Sequence, residues 1–239
     1  MKARTRVRWC LAAWLLVGCQ KQLTGTPCPC VEEHVCCPVA RACYPAAECP
    51  PLELRLTEGT VSAVYGNATG GAPFTMQCAA GEAVIGMRGI GREEVYGFGL
   101  DCGKLDLALE SGQFAVQVAA TSMLPQLGGN TEPPGPSFTL ACPAATFVTS
   151  VAGTTWLPAN FGELLQTLTI GCSSAAVAPD GKLAISPPVQ MLAAGVPSDV
   201  VETFSVDCPD GMVDGMSGNS GALIDAVAIH CTEASVVLR

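Results

Sequence analysis

Phe74-Thr75-Met76-Gln77-Cys78, Phe138-Thr139-Leu140-Ala141-Cys142 and Phe204-Ser205-Val206-Asp207-Cys208 are three versions of one string, starting 64 and 66 residues apart. A second cysteine follows each at Cys102, Cys172 and Cys231, after 24, 30 and 23 residues. Between the two cysteines the copies match again: Val84-Ile85-Gly86-Met87-Arg88-Gly89, Val148-Thr149-Ser150-Val151-Ala152-Gly153 and Val213-Asp214-Gly215-Met216-Ser217-Gly218. Each copy closes on a run that alternates apolar and other residues: Val95 to Leu100, Leu165 to Ile170, and Ile224 to Ile229. Apolar residues at every second position describe a strand buried on one face. A period this regular describes a repeat architecture.

Within one unit the Phe string forms a strand, the Val/Gly run a second and the alternating run a third. A disulfide then closes the module, which predicts Cys78–Cys102, Cys142–Cys172 and Cys208–Cys231. Each closes a loop of about 25–30 residues, worth about 3–4 kcal/mol in the chain-entropy description. Glycines 86, 89, 215 and 218 suit a close backbone approach, and Ser150 stands in for the first of them in the middle copy. Further strands are expected at Leu52–Leu56, Phe114–Val118, Val189–Leu192 and Ser235–Leu238, giving about four strands per unit and about twelve in all. The 26 glycines and 18 prolines agree with many turns between short strands.

Three such units, with Ser220-Gly221-Ala222-Leu223-Ile224-Asp225-Ala226-Val227 the best-matching strand, resemble the vitelline membrane outer layer protein I and jacalin-like group over residues 52 to 239. The resemblance implies an all-β β-prism: three Greek-key sheets about a pseudo-threefold axis, in units of about 65 residues. The middle copy departs from the motif, with Gln166 where Asp225 stands and a longer loop. A β-trefoil is threefold too, but its units are shorter.

Ahead of the repeats lie three other segments. Lys2, Arg4, Arg6 and Arg8 precede the apolar run Trp9–Gly18, the pattern of a secretory signal peptide over residues 1–18. That run is too short to span a bilayer, which takes about 20 apolar residues. It ends in Leu16-Val17-Gly18-Cys19, which resembles the lipobox of bacterial lipoproteins, implying acylation at Cys19 and a lipid-anchored protein of the outer membrane, on its periplasmic or surface side. Residues 19–27 read as a tether. Residues 28–51 read as a cysteine-rich spacer holding Cys28, Cys30, Cys36, Cys37, Cys43 and Cys49 in an order of pairing that sequence leaves open. His34 beside Cys36 and Cys37 fits zinc on paper, but an oxidising compartment favours disulfides, so no metal is expected. Without the signal, Lys plus Arg falls from 12 to 8 against 21 acids, and the charge goes from −9 to −13. Such a chain has no electrostatic footprint for nucleic acid, and its membrane contact would rest on the lipid.

Little in the chain suits catalysis. Ser217 or Ser220 with His230 echoes a hydrolase site in reversed order, without a nucleophile elbow, and reads as turn serines and a strand histidine. Glu93, Glu94, Asp207, Asp210, Asp214 and Asp225 include no pair that the spacing places on one face for glycoside hydrolysis. Asp210, Asp214 and Asn219 lack the spacing of a calcium loop. Asn67-Ala68-Thr69 is a glycosylation sequon that reads as a turn. Sugar recognition needs an aromatic face and fixed polar groups. The loops after the Val/Gly runs offer them, above all Trp156 with Thr155 and Asn160, and Asn219 in the third copy. The expectation is a non-catalytic, carbohydrate-binding module that needs no cofactor, its partner a glycan or envelope polysaccharide. The alternatives are a structural or adhesive surface protein without a small ligand, and an enzyme acting on oligosaccharides.

Overall fold

The computed structural model describes residues 25–30, 34–45, 49–110, 112–129, 135–159 and 162–239. Cys19, Asn160 and the whole signal-like segment lie outside them. In chain order the strands are β1 (His34–Cys37), β2 (Ala42–Pro45), β3 (Leu52–Val61), β4 (Tyr65–Gly66), β5 (Ala72–Gln77) and β6 (Glu82–Gly91). Then come β7 (Val95–Glu110), β8 (Gln113–Met123), β9 (Leu127–Gly128), β10 (Ser137–Ala141), β11 (Phe147–Trp156) and β12 (Leu164–Ser173). The last are β13 (Ala175–Val177), β14 (Leu183–Ile185), β15 (Gln190–Ala194), β16 (Val200–Asp207), β17 (Gly211–Ser220) and β18 (Ile224–Leu238).

The protein is all-β, a β-prism of three antiparallel sheets. Sheet I runs β10-β6-β7-β8 and continues into β13-β14, with β9 also on β7. Sheet II runs β16-β11-β12-β15, and sheet III runs β5-β17-β18-β3, with β4 also on β18. In sheets I and II three successive strands are followed by a fourth that returns beside the first, which is a Greek key. Sheet III is the same key, with the chain's ends between its second and third strands. These twelve strands are the prism.

The sheets do not coincide with the sequence repeats. Each Phe string leaves its own unit and pairs with the one before: β10 with β6, β16 with β11, and β5 with β17. The expected three-strand module is therefore corrected to a cyclic exchange of strands. Register explains the two conserved features of the repeat together. Phe138 lies opposite Gly89, Phe204 opposite Gly153 and Phe74 opposite Gly218. A Cβ on Gly89 or Gly153 would come within 2.6 Å of the facing ring. Glycine here makes room for the neighbour's aromatic ring.

The bridges follow the exchange. Cys78–Cys102, Cys142–Cys172 and Cys208–Cys231 are bonded. Because each first cysteine follows a donated strand, the bridges join sheet III to I, I to II and II to III in a ring. Above that ring, Met87, Phe98, Leu100, Val151, Leu168, Ile170, Met216, Val227 and Ile229 fill the axis between the sheets. Below it, Leu105, Val116, Phe147, Ala175 and Met212 form a second cluster. That cluster exists because β7 and β18 run on past their cysteines. Ser235–Leu238 is thus the end of β18 rather than a separate strand, and β13–β14 is an added hairpin.

The cysteine-rich segment forms the β1–β2 hairpin, with Cys28–Cys36, Cys30–Cys43 and Cys37–Cys49 bonded. The close grouping of Cys28, Cys30 and Cys43 is accounted for by these bridges. Cys36 and Pro38 share a cleft with Gly112, Gln113, Phe114, Val177 and Pro179, at the end of the prism below the disulfide ring.

Candidate functional site

At the other end of the prism, the three central hairpins turn over, and a bulged residue near the start of each second strand, skipped by the register, occupies an equivalent place: Tyr96, Gln166 and Asp225. Opposite each stands a glycine with positive φ, namely Gly128 (67°), Gly195 (83°) and Gly66 (96°). A Cβ on any of the three would strike the carbonyl oxygen of Tyr96, Gln166 or Asp225 respectively. The left-handed backbone and the close approach both demand glycine. Backbone bonds from Gly129 to Tyr96 (2.9 Å) and from Asn67 to Asp225 (2.8 Å) tie the loops down.

The three places differ in what fills them. In the first, the Tyr96 ring lies over Gly135, where a Cβ would fall 2.8 Å from it. Burial, followed by the neighbouring Glu94 carboxylate, raises the phenol above its ordinary pKa. In the second, Gln166 is fully buried. Its amide donates to the Ser198 backbone and to Ser198 Oγ (2.9 Å), and its carbonyl accepts from the Thr154 hydroxyl (3.1 Å). In the third, Asp225 has no side-chain partner among the described residues. Its two carboxylate oxygens face Gly70 and Gly71, where added Cβ atoms would lie 2.5 Å away. Burial raises its pKa above the ordinary Asp value, partly offset by the backbone N–H of Gly221. A carboxylate on a floor of glycines, with the Gly221 backbone N–H beside it, can accept from ligand hydroxyls without a side chain in the way.

Asn67 forms one wall. Its Oδ1 accepts from the Thr69 backbone N–H (3.1 Å) and the Thr69 hydroxyl (2.9 Å), an Asx turn. The sequon therefore does fold as a turn. Its Nδ2 lies against Gly162, on the loop between β11 and β12, and 3.0 Å from where a Gly70 Cβ would be. That loop leaves β11 at Trp156, so Trp156 adjoins this place rather than forms it. Trp156 is the last residue of β11, paired with Leu164 and Val200, and half-buried. Its Nε1 is buried without a partner among the described residues. Leu157 beside it is 60% exposed. Thr155 is corrected outright: it is fully buried and its hydroxyl donates to Glu163, so it offers nothing to a ligand. Asn219 sits in β17 opposite Ala226, on the hairpin of Asp225.

The other candidates disperse. Glu93 and Glu94 belong to the β6–β7 turn. Asp214 is the extra residue of a bulge level with the disulfide ring, its carbonyl accepting from Cys78 N–H, and its Oδ2 accepts from Gln77 Nε2 (3.1 Å). Ser217 and Ser220 lie in strand β17, not in turns. Ser217 and His230 meet at 2.7 Å, with no carboxylate on the imidazole among the described residues. The equivalent pair in sheet I is Arg88 with Asp101, whose guanidinium also donates to Leu124 O (2.9 Å), and in sheet II it is Ala152 with Gly171. The Ser–His contact is one filling of a diagonal cross-strand position. Asp225 was passed over in sequence because its motif reads as scaffold; the signal was an acid where the sister copies carry Tyr96 and Gln166, with Gly70-Gly71 upstream.

No protein-family model matches the chain, and no curated protein does. Among solved structures it is similar to the mannose-binding lectin from champedak, with 16% identity over 73% of this chain and 97% of that one, and a TM-score of 0.47. It is similar to a mannose-specific jacalin-related lectin from Morus nigra, solved in complex with mannose, with 17% identity over 74% and 96% and a TM-score of 0.46. It is also similar to a mannose-binding jacalin-related lectin from Ananas comosus, with 19% identity over 72% and 96% and a TM-score of 0.44.

Proposed function

We propose that the prism is a non-catalytic carbohydrate-binding module whose site is centred on Asp225. The observation that carries this reading is the contrast among three equivalent places. Two are filled from within by Tyr96 and by the Gln166–Ser198 bonds, and one presents a half-buried carboxylate with no side-chain partner on a glycine floor. Ionised Asp225 accepts from sugar hydroxyls. The exposed Leu157 and the edge of Trp156 supply apolar surface nearby for the carbon face of a ring. Export and acylation of Cys19 belong to the same proposal. The cysteine-rich hairpin lies at the opposite end from Asp225, so a lipid anchor ahead of it would leave the site facing away from the membrane. A structural or adhesive protein without a small ligand is the competing reading.

The test is a glycan array probed with the wild-type protein and with Asp225→Asn. A hydrogen bond to a charged group is worth about 1.5–3 kcal/mol, so the variant loses about 10- to 150-fold in affinity for every glycan the wild type retains. Retention of nothing by the wild type would favour the adhesive reading, and an unchanged profile for the variant would remove Asp225 from the site.

A further inference from the structure

Asp225 supplies only an acceptor, and a sugar hydroxyl pair needs a donor as well. We infer that Asn67 is that donor, and that Gly162 of the neighbouring sheet's loop is what permits it; the inference rests on the carbohydrate reading of the Asp225 site. Three observations fix the geometry. First, both Thr69 bonds fall on Asn67 Oδ1, so the amide cannot flip without losing two hydrogen bonds, and Nδ2 is held on the side away from Thr69. Second, the point where a Gly70 Cβ would stand is 3.0 Å from Nδ2 and 2.5 Å from Asp225 Oδ1, so donor and acceptor flank one small gap. Among the described residues, Nδ2 donates to no group and no side chain donates to the carboxylate. Third, Gly162 leaves the space that Nδ2 occupies, because a Cβ there would overlap it. The donor is mounted on the β4–β5 loop but positioned by Gly162 of the β11–β12 loop, so a residue of the neighbouring sheet acts on the site through Asn67. A ligand with two neighbouring hydroxyls, one giving to Asp225 and one taking from Asn67, is the class this pair selects.

Asn67→Ala removes the donor. Gly162→Ala keeps it but displaces it: the obstructed atom is the free end of a side chain and Gly162 has no positive φ, so the fold has little to resist. The probes are immobilised mannose, glucose, galactose and N-acetylglucosamine glycosides, together with derivatives of each lacking one hydroxyl. Each single variant should bind about 5- to 10-fold more weakly than wild type, and the double variant no more weakly than either, since both act on one bond. Removal of one particular hydroxyl should cost the wild type several-fold and Asn67→Ala nothing, an outcome that a merely structural role would not produce. Thermal melting within about 2 °C of wild type confirms the fold of both variants. Additive losses, or an equal penalty for every missing hydroxyl in Asn67→Ala, would overturn the inference while Asp225→Asn still weakens binding as proposed. If Asp225→Asn binds as wild type, or if no glycoside is retained, the carbohydrate reading fails first and this inference with it.

Discussion

Replacing Cys142 and Cys172 together by alanine tests the strand exchange directly. The bridge closes 30 residues. The chain-entropy relation assigns such a loop about 3.6 kcal/mol at 25 °C. Cys172 is fully buried, and deletion of its sulfur adds about 1 kcal/mol of lost packing. The sum is about 4.5 kcal/mol, which for a body of this size lowers the melting temperature by about 9–18 °C. Urea titration would measure the loss, with m rising as the unfolded chain is released from the cross-link. Hydrogen exchange would locate it, and here the architecture makes a sharper statement than the magnitude. The bridge ties the end of β10, in sheet I, to β12, in sheet II. Since β16 of sheet II is in turn tied to sheet III, opening one link loosens a closed ring, and protection should fall in all three sheets together. A loss below about 1 kcal/mol, or exchange that quickens only in β11 and β12, would refute the interlocked arrangement. The Cys208–Cys231 bridge closes 23 residues, and the same relation gives its chain-entropy contribution as about 3.4 kcal/mol, so opening it should cost nearly as much.

Two further outcomes follow from single side chains. Gly153→Ala places a methyl 2.6 Å from the Phe204 ring and against Thr167 O, and should cost about 1–3 kcal/mol in urea titration; a cost within 0.5 kcal/mol would mean that the glycine is not required by the neighbouring ring. Asp225 has a folded-state pKa above its unfolded one, so the native state binds more protons through that window and stability falls as pH rises across it. Asp225→Asn should therefore be more stable than wild type at neutral pH and lose that advantage below the ordinary Asp pKa, as melting curves across pH would show. Ligand binding should follow the opposite course, weakening as pH falls through the raised pKa.

The alternating run Ile224–Ile229 was legible because a strand with one face buried has a period of two whatever it pairs with. Which sheet takes the Phe strings was not legible, since an edge strand satisfies its ladder equally well beside either neighbour. Phe opposite Gly settles the matter only once the register is seen. Thr155-Trp156 was read as loop, yet β-branched and aromatic residues favour strand, and β11 runs through them. Leu105, Leu107 and Leu109 alternate beyond Cys102 and announce the continuation of β7, a signal hidden by taking the cysteine as the end of the unit. The site was hardest, because Asp225 is distinguished by what surrounds it rather than by its own motif.

The two ends of the prism have different work, and the disulfide ring explains the division. Below the ring, the extended β7, β8 and β18 bury Phe147, Met212 and Leu105, and the cysteine-rich hairpin packs against that end, so this region is occupied with its own stability. Above the ring, the central hairpins are already anchored by the axial core and need nothing from their turns beyond a glycine opposite each. A position freed from packing can hold a group that costs stability, and a carboxylate raised in pKa by burial is such a group. The threefold repeat supplies its own control: the same backbone accepts a Gln166 bonded to neighbouring side chains in one copy, so Asp225, without a side-chain partner among the described residues, is a departure from an available, more stable solution. That departure is the physical reason for placing function at this corner and not at the Ser217–His230 contact, whose two groups satisfy one another.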